Sequence, residues 1–149
     1  MSPLERVLQV VRTQVQFDLA ECAAQVAQAT AQTVQARDRV TMSARRCDSY
    51  AAELRSALHR SQVNPASLGA MHRMYHGETL ALHEGQTQLS TAASREQHAR
   101  SAFGELRNRE RSIERALQVH RQRRRARLQT AELLVADDLW SQRSWRERP

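Results

Sequence analysis

Residues 4–57 read LERVLQVVRTQVQFDLAECAAQVAQATAQTVQARDRVTMSARRCDSYAAELRSA. A stripe of apolar and small residues runs through this stretch: Leu4, Leu8, Val11, Val15, Leu19, Cys22, Val26, Ala29, Thr33, Ala36, Val40, Ser43, Cys47, Tyr50, Leu54 and Ala57. Its steps alternate between three and four residues, the spacing that stacks side chains on one face of a helix. The exception, 11 to 15 to 19, joins two steps of four and forms a stutter, which locally unwinds a left-handed supercoil. A helix carrying one apolar stripe must bury it against another element. The small residues Ala29, Thr33 and Ala36 predict that the partner comes close in the middle.

Upstream, Ser2 can cap the helix, Pro3 suits its first position and Glu5 completes a capping box. Downstream, the pattern breaks at Ser61-Gln62-Val63-Asn64-Pro65. Proline disfavours helical geometry at the residue before it, while Asn64 as cap and Pro65 at the first position can begin a second helix. Gly69, Gly77 and Gly85 follow closely, and each costs about 1 kcal/mol against alanine inside a helix. Residues 61–78 are therefore expected to be the least regular part of the chain and its mobile tip.

A second, more polar stripe then runs Leu82, Gln86, Leu89, Ala93, Glu96, Ala99, Phe103, Leu106, Glu110, Ile113, Leu117, His120, Arg124, Leu128, Ala131 and Val135. Polar members of such a seam cost stability but fix register. The expected fold is all-α: a single domain, 1–149, of two long helices forming an antiparallel coiled-coil hairpin. Helix 1 spans about 3–61 and helix 2 runs to about 142. Folding at about residue 63 brings Leu4 near residue 123, so the C-terminal helix is expected to overhang by about 25–30 Å at helical rise. The overhang holds Leu128, Leu133, Leu134, Val135, Leu139 and Trp140. Apolar surface without a partner in its own chain marks an interaction site.

Composition agrees with this outline. The chain has 149 residues, 40% of them hydrophobic, yet only six are aromatic, too few for an ordinary globular core and in keeping with a thin seam. The net charge of +7 is carried by 23 arginines and no lysine. It is concentrated in residues 100–127, where ten arginines face three acids. No targeting segment is visible, since Glu5, Arg6 and Arg12 interrupt the one candidate apolar core. The longest uncharged run, Cys22–Ala36, is rich in Gln and Thr and unsuited to a bilayer. A cytoplasmic protein without membrane insertion is expected. Cys22 and Cys47 lie far apart on one helix, on its apolar stripe, and read as buried small hydrophobes rather than a disulfide pair.

Little suggests catalysis. There is no Gly-rich phosphate loop and no lysine for a nucleotide site, no triad spacing, and a two-helix core offers no deep pocket. A non-enzymatic protein without cofactors is expected. His72, His76 and His83 could share a helix face, but no Cys or acidic cluster completes a metal set. The run Arg121-Gln122-Arg123-Arg124-Arg125-Ala126-Arg127 has three readings. It can contact nucleic-acid phosphates, although no aromatic residues interleave to stack bases. It can dock into an acidic ring or groove of a protein, or it can be a solvated helix face.

Paired chain ends, a longer second helix and an Arg-rich closing stretch resemble the FliJ/YscO/HrpO-type stalk proteins of bacterial type III secretion and flagellar export. In sequence the similarity is best over Ala131-Glu132-Leu133-Leu134-Val135-Ala136-Asp137-Asp138-Leu139-Trp140-Ser141-Gln142-Arg143, an apolar-acidic-basic stretch. The complete absence of lysine departs from many members. The resemblance implies a central stalk whose paired termini enter a hexameric secretion ATPase, whose other end faces an export gate protein, and which handles secretion chaperones. It also implies a cytoplasmic location, peripheral to the inner-membrane apparatus. Carried onto this chain, the ATPase contacts would be Arg121, Arg123, Arg124, Arg125, Arg127, Leu133, Leu134, Asp137, Asp138, Leu139 and Trp140. Tyr50 and Tyr75 would face the gate. The competing expectations are an Arg-rich nucleic-acid-binding hairpin and a structural coiled coil that self-associates through its overhang.

Overall fold

The computed structural model describes residues 3–60 and 64–146, the side chains of 142–146 excepted. Two helices make up the described chain: α1, Pro3–Leu58, and α2, Pro65–Arg146. The expected Ser2 cap and residues 61–63, the expected end of the first helix, lie outside the described residues. The start of α2 is built as its sequence implies. The Asn64 side-chain oxygen accepts from the Ala66 N–H at 3.0 Å, and the Asn64 carbonyl accepts from Leu68 at 3.0 Å. Pro65 occupies the position where a missing N–H costs nothing.

The chain divides into two compact units, Met1–Leu19 with Glu105–Pro149, and Ala20–Gly104. In each, α1 and α2 pack against each other antiparallel. In the first unit Glu5 meets Arg121 and Arg124, Arg12 meets Glu114, and Gln16 meets Glu110, so numbers fall on α2 as they rise on α1. Val15, Leu19, Ile113 and Leu117 form its buried apolar centre, together with Glu5 and Glu110. In the second unit the Cys22 thiol faces the Ala99 carbonyl at 3.9 Å, Thr30 meets Glu96, and Arg46 meets Glu78. Cys22, Ala29, Thr33 and Cys47 are its buried side chains.

The α1 seam follows the expected stripe with one correction at its start. Leu4 is 53% exposed and Glu5 is buried in its place. The facing positions on α2 are arginines, which offer hydrogen-bond donors to a carboxylate and little apolar surface to a leucine.

On α2 of the second unit a half-buried stripe runs Leu68, Met71, Tyr75, Glu78, Leu82, Gly85, Leu89, Ala92, Glu96, Ala99 and Phe103, with Gly69, Thr79 and Gly104 half-buried beside it. Two expected members, Gln86 and Ala93, are exposed, and their neighbours Gly85 and Ala92 take the seam. That choice keeps the three-four alternation unbroken. It also suits close approach, since a Cβ on Gly85 would lie 3.3 Å from Val40 Cγ2. Residues 65–78, expected to be irregular, are continuous α-helix. Met71, Tyr75 and Glu78 lie on the seam there, so packing offsets the weak propensity of Gly69 and Gly77.

Among the described residues, no helix is long and apolar enough to cross a membrane.

Candidate partner-binding surface

The first unit carries the candidate surface. Glu5 of α1 pairs with Arg121 and Arg124, and α2 continues beyond them to Arg146. That continuation is about 33 Å at helical rise. Every described residue from Arg121 to Ser141 is exposed. Leu133 and Trp140 are 71% and 75% exposed, and Leu128, Leu134, Val135 and Leu139 are more than half exposed.

These side chains do not share one face. Leu128, Ala131, Val135 and Leu139, at steps of three, four and four, continue the face of Ile113 and Leu117. Leu133 and Trp140, seven apart, lie on another side, with Leu134 between. Gln129, Glu132, Asp137 and Asp138 are exposed among them, whereas the two hydroxyls turn back to the helix. Thr130 donates its hydroxyl back to the Ala126 carbonyl at 2.9 Å, and Ser141 to that of Asp137 at 2.8 Å. A helix apolar on several sides is one that becomes surrounded.

The arginine run separates into two groups. Arg121 Nε donates to Glu5 Oε1 at 2.9 Å, and Arg124 Nη1 donates to Glu5 Oε2 at 3.5 Å. The Glu5 side chain is only 9% exposed, whereas each arginine is about half exposed. These two guanidiniums hold the first turn of α1 onto α2. Arg123, Arg125 and Arg127 are exposed and form no ion pair among the described residues. Asp137 and Asp138 are exposed within the apolar segment.

Other candidates fall elsewhere. Tyr50 and Tyr75 are both half-buried at seam positions of the second unit, where they belong to helix pairing. His72, His76 and His83 are exposed. Among the described residues no group of three or more His, Cys, Asp or Glu is placed to hold a metal ion. Cys22 and Cys47 are free thiols in the seam. Burial, and then the nearby Glu78 and Asp48 carboxylates, push the Cys47 thiol above its ordinary value.

Glu96 is the polar seam residue with the richest surroundings. Hydrogen bonding by the Thr33 hydroxyl, then by Thr30 at 3.1 Å, and the Arg100 and Arg37 charges hold its carboxyl below the usual range, against the opposing effect of burial. The Thr33 hydroxyl donates to the Ala29 carbonyl at 3.0 Å.

Sequence reasoning passed over Glu5 as a seam residue, and also Arg12, Glu114, Gln118 and Gln122, which line a groove with Arg121 and Arg125. The available signal for Glu5 was its place three residues before Leu8, opposite the arginine cluster. Comparison with protein-family models, with curated proteins and with solved structures finds no match to this chain.

Proposed function

We propose that this chain is a non-enzymatic coupling protein that inserts its paired ends into a ring-shaped partner, of the kind formed by a hexameric secretion ATPase in a type III export apparatus. The supporting observation is the α2 segment 125–141, exposed throughout, with leucines and a tryptophan directed to more than one side. A flat docking site would cover one face of such a helix. A pore or socket covers all of them, and arginines at its rim pair well with carboxylates lining the opening. An asymmetric helix pair inside a six-fold ring contacts only some subunits at a time. It biases their conformations through differences in contact free energy between states. In this reading the buried seam is an antiparallel coiled coil, the longer C-terminal helix supplies the inserted end, and the opposite end faces the export gate. Secretion chaperones are further partners, and the protein works in the cytoplasm at the inner-membrane apparatus.

The test is ATP turnover by the cognate hexameric ATPase with and without this protein. Stimulation is expected, and it should be lost when Leu133, Leu139 and Trp140 are together replaced by serine. It should be weakened when Arg123, Arg125 and Arg127 are replaced by glutamine. Unchanged turnover in all cases refutes the reading.

Arg123, Arg125 and Arg127, which form no ion pair among the described residues, also favour a second reading, binding to nucleic-acid phosphates. That predicts affinity falling steeply with salt. Arg121 and Arg124 contribute less to it, because Glu5 already engages them.

A further inference from the structure

The structure assigns a second interaction surface to the first unit: we propose that the groove between α1 and α2 beside the Glu5 clamp docks a partner helix bearing spaced carboxylates. This surface precedes the apolar residues 128–141 and shares Arg125 with the arginines assigned above to the rim.

The groove, about 330 Å³, has the buried Leu117 at its base, and its polar lining is Arg12 from α1 and Glu114, Gln118, Arg121, Gln122 and Arg125 from α2. The polar α2 residues recur at steps of four, three, one and three, so they form a strip along one side of the helix, about 17 Å long at helical rise. It is open along its length and carries no aromatic side chain, so it suits a ligand laid along it better than a base or a small molecule. Three guanidiniums and two amides face a single acid, Glu114.

Two of these guanidiniums already hold a carboxylate of the chain: Arg121 Nε donates to Glu5 at 2.9 Å, and Arg12 Nη2 to Glu114 Oε1 at 3.0 Å. Two donors remain unused. Arg12 Nε is covered and has no hydrogen-bond partner among the described residues, and Arg125 forms no ion pair among them. The Arg12 side chain is nonetheless 42% exposed, so a docked carboxylate meets its open part rather than the covered Nε, and it meets the exposed Arg125 directly. Carboxylates at i, i+4 and i+7 of a helix share one face, and the first two match the one-turn spacing of Arg125 and Arg121 on α2. Glu5 and Glu114 beside the groove disfavour the denser charge of a phosphate backbone.

The test uses the full chain with arginine side-chain Nε–H signals followed by NMR. The probe is a synthetic 14-residue alanine-based helical peptide with glutamates at i, i+4 and i+7, and the control is the same peptide with glutamines. Saturable shifts are expected at Arg12 and Arg125 with the glutamate peptide and not with the control. Arg125→Gln should weaken binding about two- to five-fold, the range for one exposed charge pair, and Arg125→Glu should weaken it further. Arg123→Gln, outside the groove, should leave it unchanged. The proposal is overturned by equal binding of both peptides, by absence of shifts at Arg12 and Arg125, or by indifference to both Arg125 variants. It is equally overturned if a single-stranded RNA of the same charge displaces the peptide from those arginines at physiological salt.

Discussion

Replacing Glu5 with glutamine removes one negative charge from beneath two guanidiniums while keeping the side chain's size. The carboxylate is 9% exposed and receives hydrogen bonds from Arg121 at 2.9 Å and Arg124 at 3.5 Å. A hydrogen bond to a charged group contributes about 1.5–3 kcal/mol when buried. Here both arginines are about half exposed and rehydrate when released, and the 3.5 Å contact is long. The net loss is therefore placed at the low end, about 1–2 kcal/mol. Because Glu5 sits in the first turn of α1, that loss falls mainly on local opening. Native-state hydrogen exchange of the α1 amides between residues 8 and 12 should accelerate about 5- to 30-fold, the factor corresponding to that energy. Amides near Thr33 should be unaffected, and Arg123→Gln, outside the clamp, should change neither region. Unaltered exchange at residues 8–12 in Glu5→Gln refutes the view that this carboxylate holds the end of α1 in place.

Two further perturbations probe the second unit and α2. Gly77→Ala and Gly104→Ala place a Cβ where nothing lies within 4 Å, inside a helix, so each should stabilise by about 0.5–1 kcal/mol in thermal or urea unfolding. Gly85→Ala should gain less, because its Cβ meets Val40 Cγ2 at 3.3 Å; a gain equal to that of Gly77→Ala would deny the close approach. Glu96 has its folded carboxyl held down by Thr33 and Thr30 and by Arg100, so its ionised form contributes stability above the usual carboxylate range. That contribution is lost as pH falls through the depressed folded value. The Tm difference between wild type and Glu96→Gln should thus be largest near neutral pH and shrink on acidification, and a difference independent of pH would contradict the assignment.

Much of α1 was legible because its stripe is built from residues whose character is plain. Val15, Leu19, Cys22 and Cys47 are buried where the spacing puts them. The reading slipped where chemistry and spacing disagreed. Leu4 looked like the first seam residue because it is apolar, but its facing positions are arginines, and Glu5 satisfies those better. On α2, Gln86 and Gly85 both fit between Leu82 and Leu89, but only the glycine continues the alternation that Tyr75, Glu78 and Leu82 begin. Gly69 and Gly77 suggested a broken tip. Their local cost is smaller than what Met71 and Tyr75 contribute at the seam, and the helix runs through.

The candidate surface was partly legible. Leu133, Leu139 and Trp140 were visible as apolar residues beyond any partner in the chain. The division of the arginine run was not, because which arginines turn toward Glu5 depends on the pairing of residues more than a hundred positions apart. The groove was hidden for the same reason: Arg12 and Arg125 become neighbours only once the helices pair.

The pairing of the start of α1 with α2 short of its exposed end underlies both surfaces. It is tested by spin labels at Val7 and Val119, exposed positions on the two helices, in a Cys22→Ser, Cys47→Ser background diluted with unlabelled protein. Antiparallel packing of neighbouring helices, with axes about 10 Å apart, predicts a narrow distribution near 20–25 Å once label reach is added, unchanged by dilution. A separation of 50 Å or more, or a short distance that vanishes on dilution, would contradict it.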